Sequence, residues 1–292
     1  MYFSVYLLSP SKETILNLKG MKTQLQLFLP VLLVAAACYA KEKQVKTPAP
    51  LEGAQVHVYK EASGSKLILN VFNPKDHNLK KDKRPAIVFF FGGGWNGGNP
   101  KQFQPHCEYL ASRGMVAMAA DYRVKSRQGT GPDECVMDGK SAVRWIRSNA
   151  KKLGIDPNRL AAGGGSAGGH VAAATGTVKG LEEDGEDLSL SSRPNALVLF
   201  NPVYDNGPKG WGHSRVADRY KQISPIHNIR KGTPPTIVFL GDQDKLVPVS
   251  TAEKFKTLME KVGSRSDLHV YAGQPHGFFN KGKKGNYYGK TV

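Results

Sequence analysis

The chain has 292 residues, 40% hydrophobic and 22% charged, which fits a globular protein and excludes a collagen-like, low-complexity or disordered chain. Its formal net charge of +17 suits association with acidic polysaccharide, a membrane surface or nucleic acid, or solubility alone. No Arg/Lys-rich helix or zinc-finger spacing is present, so nucleic-acid recognition is set aside; with no spacing such as H-E-x-x-H, neither a metal nor a cofactor is expected.

Residues 1–20 read as an extension from a misassigned start codon. Met21 and Lys22 are followed by LQLFLPVLLVAAACYA, an apolar stretch that ends in small residues, with Cys38 and Ala40 placed for cleavage before Lys41. This reads as a secretory signal peptide over residues 21–40, implying a secreted or periplasmic product. The rival reading, an uncleaved anchor helix, has against it the short length and Pro30, so no membrane span is expected after signal removal. AAAC38 lacks the leucine of a lipoprotein signal. Residues 41–60 form a polar linker and lead-in, and residues 61–292 a single domain. Of three cysteines, Cys107 and Cys135 outlast the signal. In an oxidising compartment they are a candidate disulfide, favoured over two buried thiols.

From about Ser65 short β-rich runs alternate with helical patterns. LILNVF (67–72), AIVFFF (86–91) and MVAMAADYR (115–123) read as strands, with a helix from near Gln102 between the last two. The run 135–154 carries Val136, Ala142, Val143, Trp145 and Ile146 at helical spacing and ends at Gly154. RLAAGG is a short strand, and SAGGHVAAATG opens a helix of small residues. ALVLFNP, TIVFLG and LHVYAG are further strands, with STAEKFKTLMEKVG as a capped helix between the last two. Such alternation predicts a mostly parallel sheet covered by helices on both faces, with ligands at the carboxyl ends of the strands. Residues 179–195 read as an acidic surface loop, and residues 203–235 as an excursion long enough to be a small cap.

The chemistry sits at those strand ends. GGSAG (164–168) has the G-x-S-x-G form between a strand and a helix, the context in which a serine is presented on a sharp turn. Ser166 is the candidate nucleophile, and the Ala167 N–H points to the same spot from a helix start. A serine needs a base and the base an orienting carboxylate. GDQDKLVP and GQPHGFF follow at successive strand ends, giving the order Ser, Asp, His. His276 is the candidate base and Asp244 the candidate acid, with Asp242 as the alternative. His269 and His170 read as structural. The five glycines of GGGWNGG, after the third strand, suggest a backbone that must approach something closely. Amides there, at Gly93 and Gly94, would join Ala167 in holding an oxyanion, a side chain at either glycine would obstruct it, and Trp95 is the neighbouring candidate for substrate contact. A dinucleotide loop does not fit, because the spacing is not G-x-G-x-x-G.

Taken together, GGGW, DYR (121–123), SAVRWIRSNAKKLGIDPNRL, GGSAGGH, GDQDKLVP and HGF, spread over residues 86–279, resemble the hormone-sensitive-lipase branch of the α/β-hydrolases, near its secreted acetyl-esterase and feruloyl-esterase-like members. The resemblance implies an α/β-hydrolase fold and a carboxylic-ester hydrolase. It puts Ser166, Asp244 and His276 in the triad positions and oxyanion donors at Gly93, Gly94 and Ala167. It also makes Arg123 and Asp138 a structural ion pair. In this sequence Phe91 stands where the family usually has a histidine that orients the glycine loop. The tail after His276 is too rich in glycine and lysine for the helix that ends relatives, which points to a truncated chain with an exposed apolar face. The expected activity is removal of small acyl groups, acetyl first, from small esters or acylated polysaccharide. The alternatives are a peptidase of the same fold, which normally carries a propeller domain, and a non-catalytic hydrolase-like binding protein.

Overall fold

A computed structural model of the chain describes residues 47–292; the extension and signal peptide expected over 1–40, and the start of the linker, lie outside the described residues. Eight strands form one sheet: β1 (Gln55–Ala62), β2 (Ser65–Phe72), β3 (Arg84–Phe90), β4 (Val116–Ala120), β5 (Ile155–Gly165), β6 (Ala196–Phe200), β7 (Thr236–Gly241) and β8 (Ser266–Tyr271). Their order is β1-β2-β4-β3-β5-β6-β7-β8. The pairs β1/β2 and β2/β4 are antiparallel and the rest parallel. This is the α/β-hydrolase fold.

The apolar runs are continuous because the central strands are buried on both faces. Along β3, Ala86, Val88 and Phe90 face one layer with Met118 and Ala120 of β4, whereas Ile87 and Phe89 face the other with Ala117 and Ala119. Helix α1 (Gln104–Ser112) packs on the second face. Helices α2 (Pro132–Ser148), α3 (Ala167–Thr177) and α4 (Val249–Lys261) pack on the first.

This two-faced core overturns the expected disulfide. Cys107 of α1 belongs to one layer and Cys135 of α2 to the other, so the sheet stands between them and both are free, buried thiols. The Cys135 Sγ–H finds the Arg123 and Gly131 carbonyls at 3.2 Å.

Other boundaries move for identifiable reasons. The expected linker over 41–60 already contains most of β1, whose Tyr59 is buried and donates to the Asp121 carbonyl at 2.6 Å, while its valines stay exposed as on an edge strand. Helix α2 starts three residues before the expected Cys135: Pro132 occupies its first turn, and the Glu134 carboxylate accepts from the Gly131 N–H at 2.8 Å. It stops at Ser148, and the chain turns before β5.

The acidic loop over 179–195 is not merely solvated. Glu183 meets Lys60 and Arg123, Glu182 meets Lys140 and Arg144, and Glu186 meets Arg144. The expected Arg123–Asp138 pair is present, with Nη2 2.8 Å from Oδ1. The tail, expected to leave an apolar face bare, places Phe278, Phe279 and Tyr287 in the aromatic layer beneath α1, and Tyr288 Oη donates to the Pro105 carbonyl at 2.7 Å.

Candidate active site

Ser166 sits between β5 and α3 at φ 54° and ψ −120°, a left-handed backbone that costs a non-glycine residue on the order of 1–3 kcal/mol. Its neighbours hold it there. The Ser166 N–H donates to the Phe200 carbonyl at the end of β6, and its own carbonyl accepts from His170 and Val203. The elbow can press against β3 only because its flanks are glycine: a Cβ on Gly168 would stand 2.0 Å from the Phe90 carbonyl oxygen. That contact explains the second glycine of G-x-S-x-G.

From the ends of β7 and β8 come the other two groups. His276 Nε2 lies 2.9 Å from Ser166 Oγ, and Nδ1 lies 2.7 Å from Asp244 Oδ2. Asp244 is buried, and its second oxygen accepts the Leu246 and Val247 N–H groups at 2.8 and 3.0 Å. With that carboxylate saturated, Nδ1 carries the proton and Nε2 presents a lone pair to the hydroxyl. The alternative acid, Asp242, is exposed and spends Oδ1 on the Gly273 N–H at 2.7 Å. The structure therefore brings together Ser166, His276 and Asp244, and leaves Asp242 outside.

The glycine turn lies beside this group, with a different division of labour than expected. A Cβ on Gly92 would meet Ser166 Cβ at 3.3 Å, so Gly92 is the residue that borders the serine. Gly93 is needed for its backbone, φ 132°, where a Cβ would strike the Gly97 carbonyl, and a Cβ on Gly94 would face Trp211 and Arg215 of the cap, not the serine. The Gly93, Gly94 and Ala167 amides make no hydrogen bond within the described residues. The turn is braced from below. Tyr122 stacks on Phe91 at 4.1 Å and donates to its carbonyl at 2.6 Å; Gln102 Oε1 accepts the Gly92 N–H at 2.6 Å. Gln102 Nε2 reaches Asn280, which in turn donates to the Gly277 carbonyl, tying the glycine turn to the His276 loop. Phe91, Tyr122 and Gln102 thus support the turn.

Trp95, expected to touch substrate, is 1% exposed. Its ring lies edge-on to His170 and tilted against Trp211 of the cap. It is the floor of a cleft of about 350 Å³ walled by Lys125, Ser214 and Arg215, and Trp211 is the more open of the two rings. His170 is buried, 3.2 Å from the Ile223 carbonyl, and burial lowers its pKa to about 3; it anchors the cap from beneath. A second cleft of about 510 Å³ opens beside His276, between Phe278, Lys283, Lys284 and Tyr287.

Asn201 is the site residue that the sequence reading misses. It follows β6 at φ 34°, accepts the Gly277 N–H on Oδ1 at 3.0 Å and turns Nδ2 to His276 Nε2 at 3.3 Å. Its only sequence signal is the Asn-Pro pair closing a strand. Among the described residues no three His, Cys, Asp or Glu side chains could hold a metal ion, and no helix is long and apolar enough to cross a membrane.

The BD-FAE family model matches residues 69–205, and the prolyl oligopeptidase family model residues 190–291. The chain is 29% identical to Esterase LipC of Mycobacterium tuberculosis, over 72% of this chain and 57% of that protein. It is 27% identical to the acetylxylan esterase of Xylanibacter ruminicola, over 66% of this chain and 41% of that protein. It thus spans about half the length of the curated relatives it matches. Among solved structures, Thermogutta terrifontis esterase 2 phosphoramylated by tabun superposes with a TM-score of 0.80 at 48% identity, over 84% of this chain and 93% of that one. The same esterase with propionate bound gives 0.80 at 47% identity, with the same coverage.

Proposed function

The chain belongs to the α/β-hydrolase esterases, and on that premise we propose that it hydrolyses small carboxylic esters through an acyl-enzyme, removing short acyl groups from carbohydrate. The observation that carries the proposal is the imidazole of His276 standing 2.9 Å from Ser166 Oγ and 2.7 Å from Asp244.

Ser166 Oγ attacks the ester carbonyl while its proton passes to His276 Nε2. The imidazolium so formed is stabilised by the Asp244 carboxylate. The carbonyl oxygen becomes an oxyanion held by the free amides of Gly93, Gly94 and Ala167, each worth about 2.7–4 kcal/mol of barrier where such donors have been removed. His276 then protonates the departing alkoxide, and water attacks the acyl-enzyme by the same route in reverse roles. Short acyl groups are favoured by analogy with the solved esterase crystallised with propionate and with butyrate. The carbohydrate alcohol draws support from the acetylxylan esterase among the relatives and from the basic charge. A secreted or periplasmic location rests on the signal-like residues 21–40 alone.

The prolyl oligopeptidase match over residues 190–291 supports a second reading, cleavage of peptide bonds by the same groups. Turnover of p-nitrophenyl acetate and of a prolyl p-nitroanilide separates the two. The ester is expected to turn over and the anilide not. Ser166→Ala should lower the ester rate by about 10³-fold or more and abolish labelling by a fluorophosphonate. An unchanged rate in that variant would remove Ser166 from the mechanism, and an unlabelled wild-type protein would favour a non-catalytic binder.

A further inference from the structure

At the opposite ends of the strands from Ser166, a groove of about 930 Å³ runs along the starts of β5, β6, β7 and β8. β7 is six residues long, so about 20 Å of strand separates the groove from the serine. Four cations line it, Arg147, Arg193, Lys231 and Arg265, and among the described residues no carboxylate does.

The groove is built rather than incidental. Half-buried Arg147 donates to the Pro157 and Ser191 carbonyls and to Asn195 Oδ1, at 3.2, 2.6 and 3.1 Å. Arg193 donates to the Gly232 carbonyl at 2.9 Å. Backbone carbonyls fix these guanidinium groups without neutralising them. Of the four, only Arg265 has a carboxylate among the described residues, Asp267 at 2.7 Å. Burial first, and then the charge of Arg193, lower the Arg147 pKa, the mark of cations held together without a counter-charge. Pro157, Pro194, Pro234 and Pro235 stiffen the walls.

We propose that this groove is an anion-binding site that docks an acidic glycan, a sugar chain bearing carboxylate or sulfate groups, at a distance from the ester-cleaving site. Fixed guanidinium groups suit planar or tetrahedral oxyanions, which they bind in a forked manner. Nucleic acid fits less well. No aromatic side chain lines the groove, so bases have no stacking platform, and the cations converge on one concavity instead of tracking a phosphate backbone. Docking there would hold the enzyme on a charged matrix while the other end of the sheet works on acyl groups.

The test is fluorescence anisotropy of labelled oligogalacturonate, sulfated dextran, neutral dextran and a 20-base-pair DNA duplex with the purified chain. The two acidic glycans are expected to bind, with affinity falling as salt rises, and neutral dextran not to bind; the tighter of the two tells carboxylate from sulfate. Lys231→Glu/Arg265→Glu alters two exposed groups and should weaken acidic-glycan binding at least tenfold, with p-nitrophenyl acetate turnover unchanged. Lys66→Glu/Lys75→Glu, an equal charge change on β2 and the loop that follows it, should weaken it less than threefold. Should the first variant misfold, Lys231→Gln/Arg265→Gln against Lys66→Gln/Lys75→Gln carries the same comparison. Equal losses in both variants would reduce the effect to net charge and overturn the site, as would tighter binding of the duplex than of either glycan, or no binding of acidic glycans by the wild type.

Discussion

Asn201 shows how a single residue can complete a site without belonging to its motif. Its Oδ1 holds the Gly277 N–H, which fixes the loop just after His276, and its Nδ2 then has one direction left, toward Nε2. The imidazole is thereby held from the side opposite Asp244. An asparagine tolerates the positive φ that this turn requires better than most residues. Asn201→Ala should cost one to two hydrogen bonds' worth of positioning, about 1–2 kcal/mol, or roughly 5–30-fold in kcat/KM for p-nitrophenyl acetate. Fluorophosphonate labelling should still occur, but more slowly. A variant with lowered Tm and unaltered kcat/KM would make Asn201 a residue of stability only. Trp95 is the converse case: the motif made it conspicuous, yet burial under the cap withdraws it from the surface.

Among the elements, the loop over 179–195 holds its neighbours through ion pairs without a helix or strand of its own. It carries three carboxylates to α2 and β1, where Lys140 is 1% exposed and would otherwise be a buried charge with only a carbonyl for company. Truncating one partner of such a pair is costly because the other is left behind. Glu182→Ala should therefore lower the urea-unfolding free energy by about 3–5 kcal/mol, against about 1 kcal/mol or less for exposed Glu61→Ala at the hairpin. A loss under 1 kcal/mol would mean that water reaches Lys140.

The same loop marks where the sequence stops being legible. Continuous apolar runs and G-x-S-x-G announced the parallel strands and the serine elbow, since burial on both faces and close backbone approach each leave a local pattern. A loop of acidic residues reads identically whether its carboxylates face water or a lysine two elements away. Edge strand β1 was hidden for a related reason: its alternating valines face outward and only Tyr59 is buried, so its pattern marks no core face. The separation of Cys107 from Cys135 depends on which face each helix covers, which spacing along the chain does not encode.

Across the whole molecule, the two apolar layers each enclose a histidine. His106 is ringed by Phe89, Phe103, Phe200, Phe279 and Tyr288, with neither nitrogen hydrogen-bonded among the described residues; His170 lies under Trp95. Burial lowers both to about 3, against about 6.5 in an unfolded chain. Between those values the unfolded chain binds more protons than the folded one, so stability is complete above about pH 6.5 and drains away as pH falls toward 3. At about 1.4 kcal/mol per pH unit per group, the pair withdraws several kcal/mol, a large part of the 5–15 kcal/mol typical of a domain. The ion-paired carboxylates Glu182 and Glu183 add loss of the same sign as pH falls below the ordinary value of 4.5 toward their lowered ones. His227, lowered chiefly by burial, adds loss of the same sign, and Asp121, raised chiefly by burial, offsets part of it; urea titrations between pH 6 and 4.5 should therefore show stability falling with pH. His106→Phe removes two unpartnered nitrogens without breaking a hydrogen bond; it should lower that slope by about one proton and leave stability at pH 7 equal or higher. A slope unchanged by the substitution would mean that His106 gains its proton without unfolding, and would place water inside the aromatic layer.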